Sequence, residues 1–207
     1  MVISNWKKSV VLKKARRYGA DLSRPILSRF VSGDTVLCNS FPKSGTHLLL
    51  QVLASQTPID YGNFLASTPS VSMMRAADSQ MISKIDALMK GELVSGHLFW
   101  SSIIEEELRN RKILHFFIYR DPRDVIISEC NYLSKMNRWH KLYKYFRRCS
   151  SLDEMVKLSI QGIETDEFYF PNISKRMRDY SPWIDHHDVC SIKYEDLYDK
   201  NRIGSLK

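Results

Sequence analysis

Short apolar runs and longer amphipathic runs alternate along residues 34–200. Short apolar runs predict buried strands, here at 34–39, 92–95, 113–119 and 189–192. Apolar positions at helical spacing predict helices, here at 45–56, 81–89, 103–110, 121–136 and 151–163. The rest of residues 57–90 is mixed and carries several turn signals. Strands that alternate with helices predict a single α/β domain, a P-loop-like parallel sheet of about four or five strands with helices on both faces.

Local signals support three of these boundaries. Residues 113–119 are apolar at all but one position, which is typical of a strand covered on both faces. Asp121 fits a helix N-cap and Pro122 fits the first helical turn. The Ser151-x-x-Glu154 spacing is that of a capping box, which opens another helix.

Composition adds a bias towards anionic partners. The 207 residues carry a net charge of +8 and a pI near 9.3, which favours nucleotides, nucleic acid or an acidic membrane surface without choosing among them. Residues 1–30 are strongly basic. We expect them to form a helical leader packed loosely on a domain of residues 31–207, with weak contact to a membrane surface as the alternative.

Cysteine usage and hydropathy predict a cytoplasmic setting. The four cysteines form no C-x-x-C pair, so neither a zinc site nor a redox motif is indicated. Cys38 lies in a predicted strand and is expected to be a buried thiol. No apolar run has transmembrane length, and the N-terminus lacks the apolar core of a signal peptide. We expect no metal, because no acidic ligand cluster is evident.

The loop after the first predicted strand has the layout of an anion site. Residues 40–50 read Ser-Phe-Pro-Lys-Ser-Gly-Thr-His-Leu-Leu-Leu, a polar turn between an apolar strand and an apolar helix. Backbone N–H groups and the helix dipole favour an anion at such a helix start, and Lys43 adds a full charge. The order differs from a Walker A motif, since the lysine precedes the single glycine. The alternative is an ordinary polar turn with a surface lysine.

A second candidate site follows the strand at 113–119. Arg120 at the strand end offers a planar guanidinium suited to phosphate oxygens. Ser128 lies about two turns into the next helix, on the side that faces back to the strand end. The alternative is a pair of helix-capping ion pairs that join Arg120 or Arg123 to Asp121 or Asp124.

His97 is the third candidate, because it follows the strand predicted at 92–95. A histidine there, between two anion loops, predicts a general base with a pKa close to working pH. The alternative is a histidine satisfied inside the fold. All three candidates follow the carboxyl ends of strands, which is where open α/β sheets bind ligands.

Two stretches are expected to shape an acceptor pocket, 57–90 and 137–150. Residues 137–148 interleave basic and aromatic side chains, which we interpret as an amphipathic segment with Trp139, Tyr143 and Phe146 packed inward rather than as a nucleic-acid site. Six apolar residues suggest an apolar pocket, with the protein core as the alternative: Phe64, Met73, Met74, Met81, Phe99 and Trp100.

These motifs together resemble those of the sulfotransferases that use 3′-phosphoadenosine 5′-phosphosulfate (PAPS), the soluble cytosolic type in particular. Members carry Tyr-Pro-Lys-Ser-Gly-Thr-Thr-Trp in the 5′-phosphosulfate loop, and residues 41–48 here read Phe-Pro-Lys-Ser-Gly-Thr-His-Leu. The 3′-phosphate motif is similar to residues 119–128. The Gly96-His97-Leu98 element and the Tyr-Glu-Asp-Leu stretch at 194–197 also follow the family pattern.

The resemblance implies a role for each candidate residue. His97 takes the proton of a hydroxyl or amine acceptor, Lys43 stabilises charge on the leaving nucleotide, and no metal takes part. Arg120 and Ser128 bind the 3′-phosphate. Five consecutive residues cradle the 5′-phosphosulfate: Lys43, Ser44, Gly45, Thr46 and His47.

Two other functions stay open. Relatives continue beyond the position of Lys207 to a basic segment that also holds the 3′-phosphate, so we expect a chain that is short at its C-terminus. A nucleotide-binding remnant without turnover is therefore one alternative. A P-loop kinase is the other, although the chain lacks the Walker A order and a clear Walker B aspartate. The acceptor and the oligomeric state are not set by the sequence.

Overall fold

A computed structural model describes residues 33–54 and 59–197. The predicted leader at 1–30 lies outside the described residues. One five-stranded sheet has the order β2-β3-β1-β4-β7, and all its strand pairs are parallel. Its strands are β1 (Val36–Ser40), β2 (Ile59–Ala66), β3 (Glu92–His97), β4 (Leu114–Tyr119) and β7 (Val189–Lys193). A short antiparallel hairpin is formed by β5 (Ile163–Glu164) and β6 (Tyr169–Phe170).

Helices connect the strands, as the alternating pattern predicts. They are α1 (Thr46–Ala54), α2 (Asp78–Asp86), α3 (Ser102–Asn110), α4 (Pro122–Asn131), α5 (Tyr143–Arg148), α6 (Leu152–Gln161) and α7 (Ile173–Tyr180). A π-helical turn, Tyr132–Met136, follows α4, and single 3₁₀ turns cover Ser181–Trp183 and Tyr194–Leu197. None of the helices in residues 33–54 and 59–197 combines the length and hydropathy that a membrane span requires.

The central strand β1 is buried along its whole length because helices cover both faces of the sheet. Leu37, with Val94 and Phe117, belongs to a core cluster that includes side chains of α2 and α3. Val36 and Cys38 point to the opposite face and join a second cluster with α1. This alternation follows from the two-residue period of a strand. The predicted α/β class and the two covered faces are confirmed, and Cys38 is the expected buried thiol.

The helix starts follow the capping signals. Asp121 Oδ1 accepts from the Arg123 amide at 2.8 Å, and Pro122 occupies the first turn of α4. Ser151 Oγ accepts from the Glu154 amide at 3.2 Å, while the Glu154 carboxylate accepts from the Ser150 amide at 2.7 Å. In the simple capping box the glutamate accepts from the amide of the N-cap residue. Here Glu154 accepts instead from the amide of Ser150, the residue before the N-cap.

One strand was missed and the boundaries of two predicted helices were wrong. The mixed region 57–90 contains an edge strand, β2, whose register shifts between Asp60 and Phe64, so that a bulge hides its alternation. The helix predicted at 81–89 is α2, which begins and ends three residues earlier, at Asp78–Asp86. The helix predicted to extend to Met136 leaves α-geometry after Asn131, where the π-helical turn begins.

Stability is expected to fall in mild acid because of His115. This ring is buried against Trp183, with centroids 4.6 Å apart, and burial lowers the pKa of His115 to about 3. The unfolded chain therefore binds one more proton than the folded chain between about pH 6.5 and pH 3, so folding stability decreases as pH falls through this window. His115→Leu should reduce the slope of unfolding free energy against pH by up to about 1.4 kcal/mol per pH unit.

Urea unfolding followed by circular dichroism at pH 7, 6 and 5 measures this slope. His187→Leu is the matched control, since the His187 side chain is 76% exposed, and it should keep the wild-type slope. An unchanged slope in His115→Leu would show that this ring does not contribute to acid sensitivity.

Candidate active site

Three loops meet at one edge of the sheet because their strands are neighbours in the order β3-β1-β4. The carboxyl ends of parallel strands lie at the same edge. The loop after β1, the end of β3 and the residue after β4 place Lys43, His97 and Arg120 on the wall of one cleft of about 1220 Å³. The cleft wall also includes Ser128 and Tyr194.

The loop from Phe41 to Gly45 is tightly turned. Lys43 has a φ of 69° and Gly45 a φ of 99°, a region that favours glycine. The Leu48 and Leu49 amides both donate to the Gly45 carbonyl at 3.0 and 3.1 Å. The amides at the very start of α1 precede these bonds and are oriented to serve an external acceptor.

The Lys43 ammonium lies in the cleft against an aromatic ring. Its Nζ is 3.9 Å from the ring centroid of Tyr132, a favourable cation–π distance. Burial lowers the pKa of Lys43, and the Glu129 carboxylate partly opposes this effect. Glu129 is itself fixed, since it accepts from Arg176 Nη1 at 2.8 Å and from Ser159 Oγ at 2.5 Å.

His97 is held in one tautomer by the end of β1. Its Nδ1 lies 3.0 Å from the Ser40 carbonyl oxygen, which only accepts, so Nδ1 carries the hydrogen and Nε2 keeps its lone pair. The Ser40 hydroxyl lies 2.6 Å from Thr46 Oγ1 and 3.0 Å from the same Nδ1. Burial lowers the pKa of His97 to about 4, and the Ser40 hydrogen bond opposes this effect. The ring is therefore neutral at pH 7, and the prediction that the pKa of His97 lies close to working pH was wrong.

A buried amide joins the two strand ends that carry these groups. Asn39 Nδ2 donates to the Leu98 carbonyl at 3.1 Å, and Asn39 Oδ1 accepts from the Leu98 amide at 2.8 Å. Asn39 Oδ1 also accepts from the Ser40 amide at 2.9 Å. The spacing between the Lys43 loop and His97 is therefore fixed by hydrogen bonds in the interior.

Arg120 is connected to the Lys43 loop by Tyr194. The Arg120 Cζ lies 4.4 Å from the centroid of the Tyr194 ring. The same ring lies against Gly45, where an added Cβ would be 2.6 Å from a ring carbon. Arg120 Nη2 lies 3.3 Å from Asp124, and within the described residues the buried Nε of Arg120 has no hydrogen-bond partner.

The sequence-predicted ligands occupy different places around the cleft. The cleft is lined by Lys43, Gly45, Thr46, His47, His97, Arg120 and Ser128. Ser44 is buried beneath this wall, and its amide donates to the Phe41 carbonyl at 3.2 Å. Its hydroxyl has no partner among the described residues. Of the predicted ligands, Ser44 is thus the one whose side chain does not line the cleft.

The helix-capping ion pairs are present as well. Arg123 lies 2.6 Å from Asp121, and Arg120 lies 3.3 Å from Asp124. Arg123 is exposed and lies outside the cleft wall, so its ion pair is a capping interaction. Arg120 forms an ion pair with Asp124 and also lines the cleft.

Part of the cleft wall is apolar. The predicted stretch 57–90 contributes Phe64, Met73 and Met74, the stretch 137–150 contributes Leu142 together with His140, and Phe99 follows β3. Met81 belongs to the core, and Trp100 lies outside the cleft wall. The prediction that Trp139 packs inward was wrong, since it is 88% exposed, whereas Phe146 is fully buried. Trp139 is displaced because Asn137 to His140 form a turn, closed by a 3.2 Å backbone hydrogen bond, rather than a helix.

Sequence reasoning missed several residues of the cleft wall. Tyr132, Glu129 and Arg176 contact one another or Lys43, but Glu129 and Arg176 are 47 residues apart, and no local pattern relates them. A charged residue at a buried position of α4 was the available signal for Glu129, because a buried carboxylate requires a partner.

The cleft fits a ligand with two anionic groups. Lys43 and the first amides of α1 form one set of donors, and Arg120, with a buried unpaired Nε among the described residues, forms a second. These groups are all donors or cations, as phosphate and sulfate oxygens require.

Residues 33–202 match the sulfotransferase domain family. The chain belongs to this family. A search of curated proteins finds no match. The solved structures include a mouse sulfotransferase, SULT7A1, complexed with PAP, which is similar in fold, with a TM-score of 0.52 and 20% sequence identity. The match covers 86% of this chain and 57% of the mouse protein, so the chain spans less than two thirds of that protein's length.

Proposed function

We propose that this chain transfers a sulfuryl group from PAPS to a hydroxyl or amine of a small acceptor. The observation that carries the proposal is the single cleft that holds Lys43, His97 and Arg120, with Tyr194 in contact with both anion loops. Membership of the sulfotransferase family supports the reaction class. The PAP in the mouse structure supports the choice of nucleotide.

In this reaction a bond forms between the acceptor oxygen or nitrogen and sulfur, while the bond from sulfur to the bridging phosphate oxygen breaks. The acceptor proton passes to His97 Nε2, the ring nitrogen that keeps a lone pair. The electron pair of the broken bond stays on the nucleotide, where Lys43 and the α1 amides stabilise the developing charge. PAP is the leaving group, and Arg120 and Ser128 hold its 3′-phosphate while the bond breaks.

Fixed positions account for much of the expected rate. Asn39 sets the distance between the base and the Lys43 loop, and Arg176 with Ser159 fixes the carboxylate of Glu129 near Lys43. Groups that are already oriented need no reorganisation during the reaction. A cytoplasmic location stays a prediction.

Calorimetry with PAP and with ATP·Mg separates the three functions. We expect PAP to bind more tightly than ATP·Mg, and we expect ³⁵S from labelled PAPS to appear on at least one acceptor in a panel of phenols, aliphatic alcohols and aryl amines. Tight ATP·Mg binding with no response to PAP would indicate a kinase. Tight PAP binding without transfer to any acceptor would indicate a nucleotide-binding remnant.

A further inference from the structure

An exposed basic and apolar segment borders the cleft, and its exposed side chains have no role in the proposed reaction. We call residues 135–148 the basic rim. Met136 is 72% exposed and Trp139 is 88% exposed, the two most exposed large apolar side chains among the described residues. The rim contains no acidic residue, and its basic residues are Lys135, Arg138, Lys141, Lys144, Arg147 and Arg148.

A second exposed apolar edge packs against the rim. The Lys141 amide donates to the Ser70 carbonyl at 2.9 Å, and Met73 shares a buried cluster with Leu142. Val71 and Met74, which directly follow Ser70 and Met73 in the chain, are both about two-thirds exposed. Two segments that pack together therefore present four exposed apolar side chains.

This surface borders the opening of the cleft. Met74 and Ser70 from one segment, and His140 and Leu142 from the other, line the cleft wall. Exposed apolar residues surrounded by cations are the composition that binds the interface of an anionic bilayer, where apolar side chains enter the headgroup region and Lys or Arg stay with the phosphates. Tryptophan in particular favours that interface.

The same chemistry fits a nucleic acid less well. Single-stranded nucleic acids are held by several planar rings on which successive bases stack. Of the four exposed apolar side chains only Trp139 has such a ring, and the other three are aliphatic or thioether groups that gain little from stacking. All four side chains are of the apolar kind that inserts into lipid.

We propose that the basic rim, together with Val71 and Met74, docks this chain on an anionic lipid bilayer, with the cleft opening beside the contact. One lysine of the rim is already paired, since Lys141 lies 2.7 Å from Glu167. The other five basic side chains are exposed: Lys135, Arg138, Lys144, Arg147 and Arg148. Lys135 donates to Asn131 Oδ1 at 3.3 Å, and Lys144 acts on the Glu167 carboxylate, so docking exchanges these weak surface contacts for lipid phosphates. Docking of this kind needs no turnover, so its test is independent of the transfer reaction.

Flotation of the full chain with vesicles tests the apolar part of the contact. We expect binding to vesicles of phosphatidylcholine with 30% phosphatidylserine, and about tenfold weaker binding for Trp139→Ser. The wild-type fluorescence should shift to the blue on binding, and Trp139→Phe should remove the shift. Ile103→Ser is the matched control, because Ile103 is an exposed apolar residue of α3 outside the cleft wall, and it should bind as the wild type does.

Charge neutralisation tests the basic part. Arg138→Ala with Lys144→Ala should weaken binding to the anionic vesicles about 25-fold, roughly fivefold for each charge, and vesicles of phosphatidylcholine alone should bind weakly. Lys84→Ala with Lys90→Ala removes two exposed charges elsewhere and should change binding little. Three outcomes would overturn the proposal: no binding to anionic vesicles, binding that the rim variants leave unchanged, or rim variants that abolish binding to a single-stranded oligonucleotide but not to vesicles.

Discussion

Replacing His97 by alanine is expected to lower the rate of sulfuryl transfer by about two to four orders of magnitude, the range for loss of a general base. PAP affinity should stay within about twofold, because His97 is placed to meet the acceptor. The geometric reason is the tautomer: Nδ1 donates to the Ser40 carbonyl, which leaves Nε2 able to accept a proton. Single-turnover transfer of ³⁵S, with PAP calorimetry on the same preparation, measures both quantities.

His140 provides a matched control from the same cleft. Its Nδ1 accepts from the Leu142 amide at 3.2 Å, so its neutral ring carries the hydrogen on Nε2 and offers no free lone pair to an acceptor. Burial lowers the pKa of His140 to about 4, as it does for His97. His140→Gln should therefore retain transfer within a few-fold. Loss of transfer in His140→Gln but not in His97→Ala would move the role of base to His140.

The meeting of the three candidate loops follows from strand order, which the sequence predicts only in part. Alternating strands and helices predict a parallel sheet, and residues after strand ends are expected at one edge. Strand β1 lies between β3 and β4, which places the Lys43 loop between the ends of the strands that lead to His97 and Arg120. This strand order is a property of the tertiary structure that the sequence pattern does not predict. His97 itself is the last residue of β3 rather than part of a following loop, which fixes its ring more firmly than the sequence suggested.

Interactions between distant segments are the part that local patterns cannot supply. The Asn39 bonds to Leu98 span 59 residues, and the Glu129 bond to Arg176 spans 47. Each of these bonds satisfies a polar group that is buried in the folded protein. In the sequence, such a group is visible only as a polar residue within an apolar run. The prediction for Trp139 was wrong for a local reason. It assumed helical spacing at a position where the chain forms a turn.

Replacing Arg120 by alanine is expected to weaken PAP binding about 100-fold, which corresponds to the loss of one or two hydrogen bonds from a charged group. The same change should leave AMP affinity nearly unaltered, because AMP lacks the 3′-phosphate. The structure favours this selectivity, since the guanidinium stacks on Tyr194 whereas the Lys43 ammonium lies on a different ring, Tyr132. Titration calorimetry of PAP and of AMP against the wild type and Arg120→Ala measures all four affinities.

Two further variants separate charge from geometry. Arg120→Lys keeps the charge but loses the planar fork, so we expect it to recover only part of the PAP affinity. Asp124→Asn removes the carboxylate 3.3 Å from Arg120 Nη2 and should leave PAP affinity equal to or above the wild-type value, since that carboxylate competes with the phosphate for the guanidinium. If Arg120→Ala weakens PAP and AMP equally, Arg120 acts on the shared part of the nucleotide or through Tyr194 on the Lys43 loop, and its assignment to the 3′-phosphate is wrong.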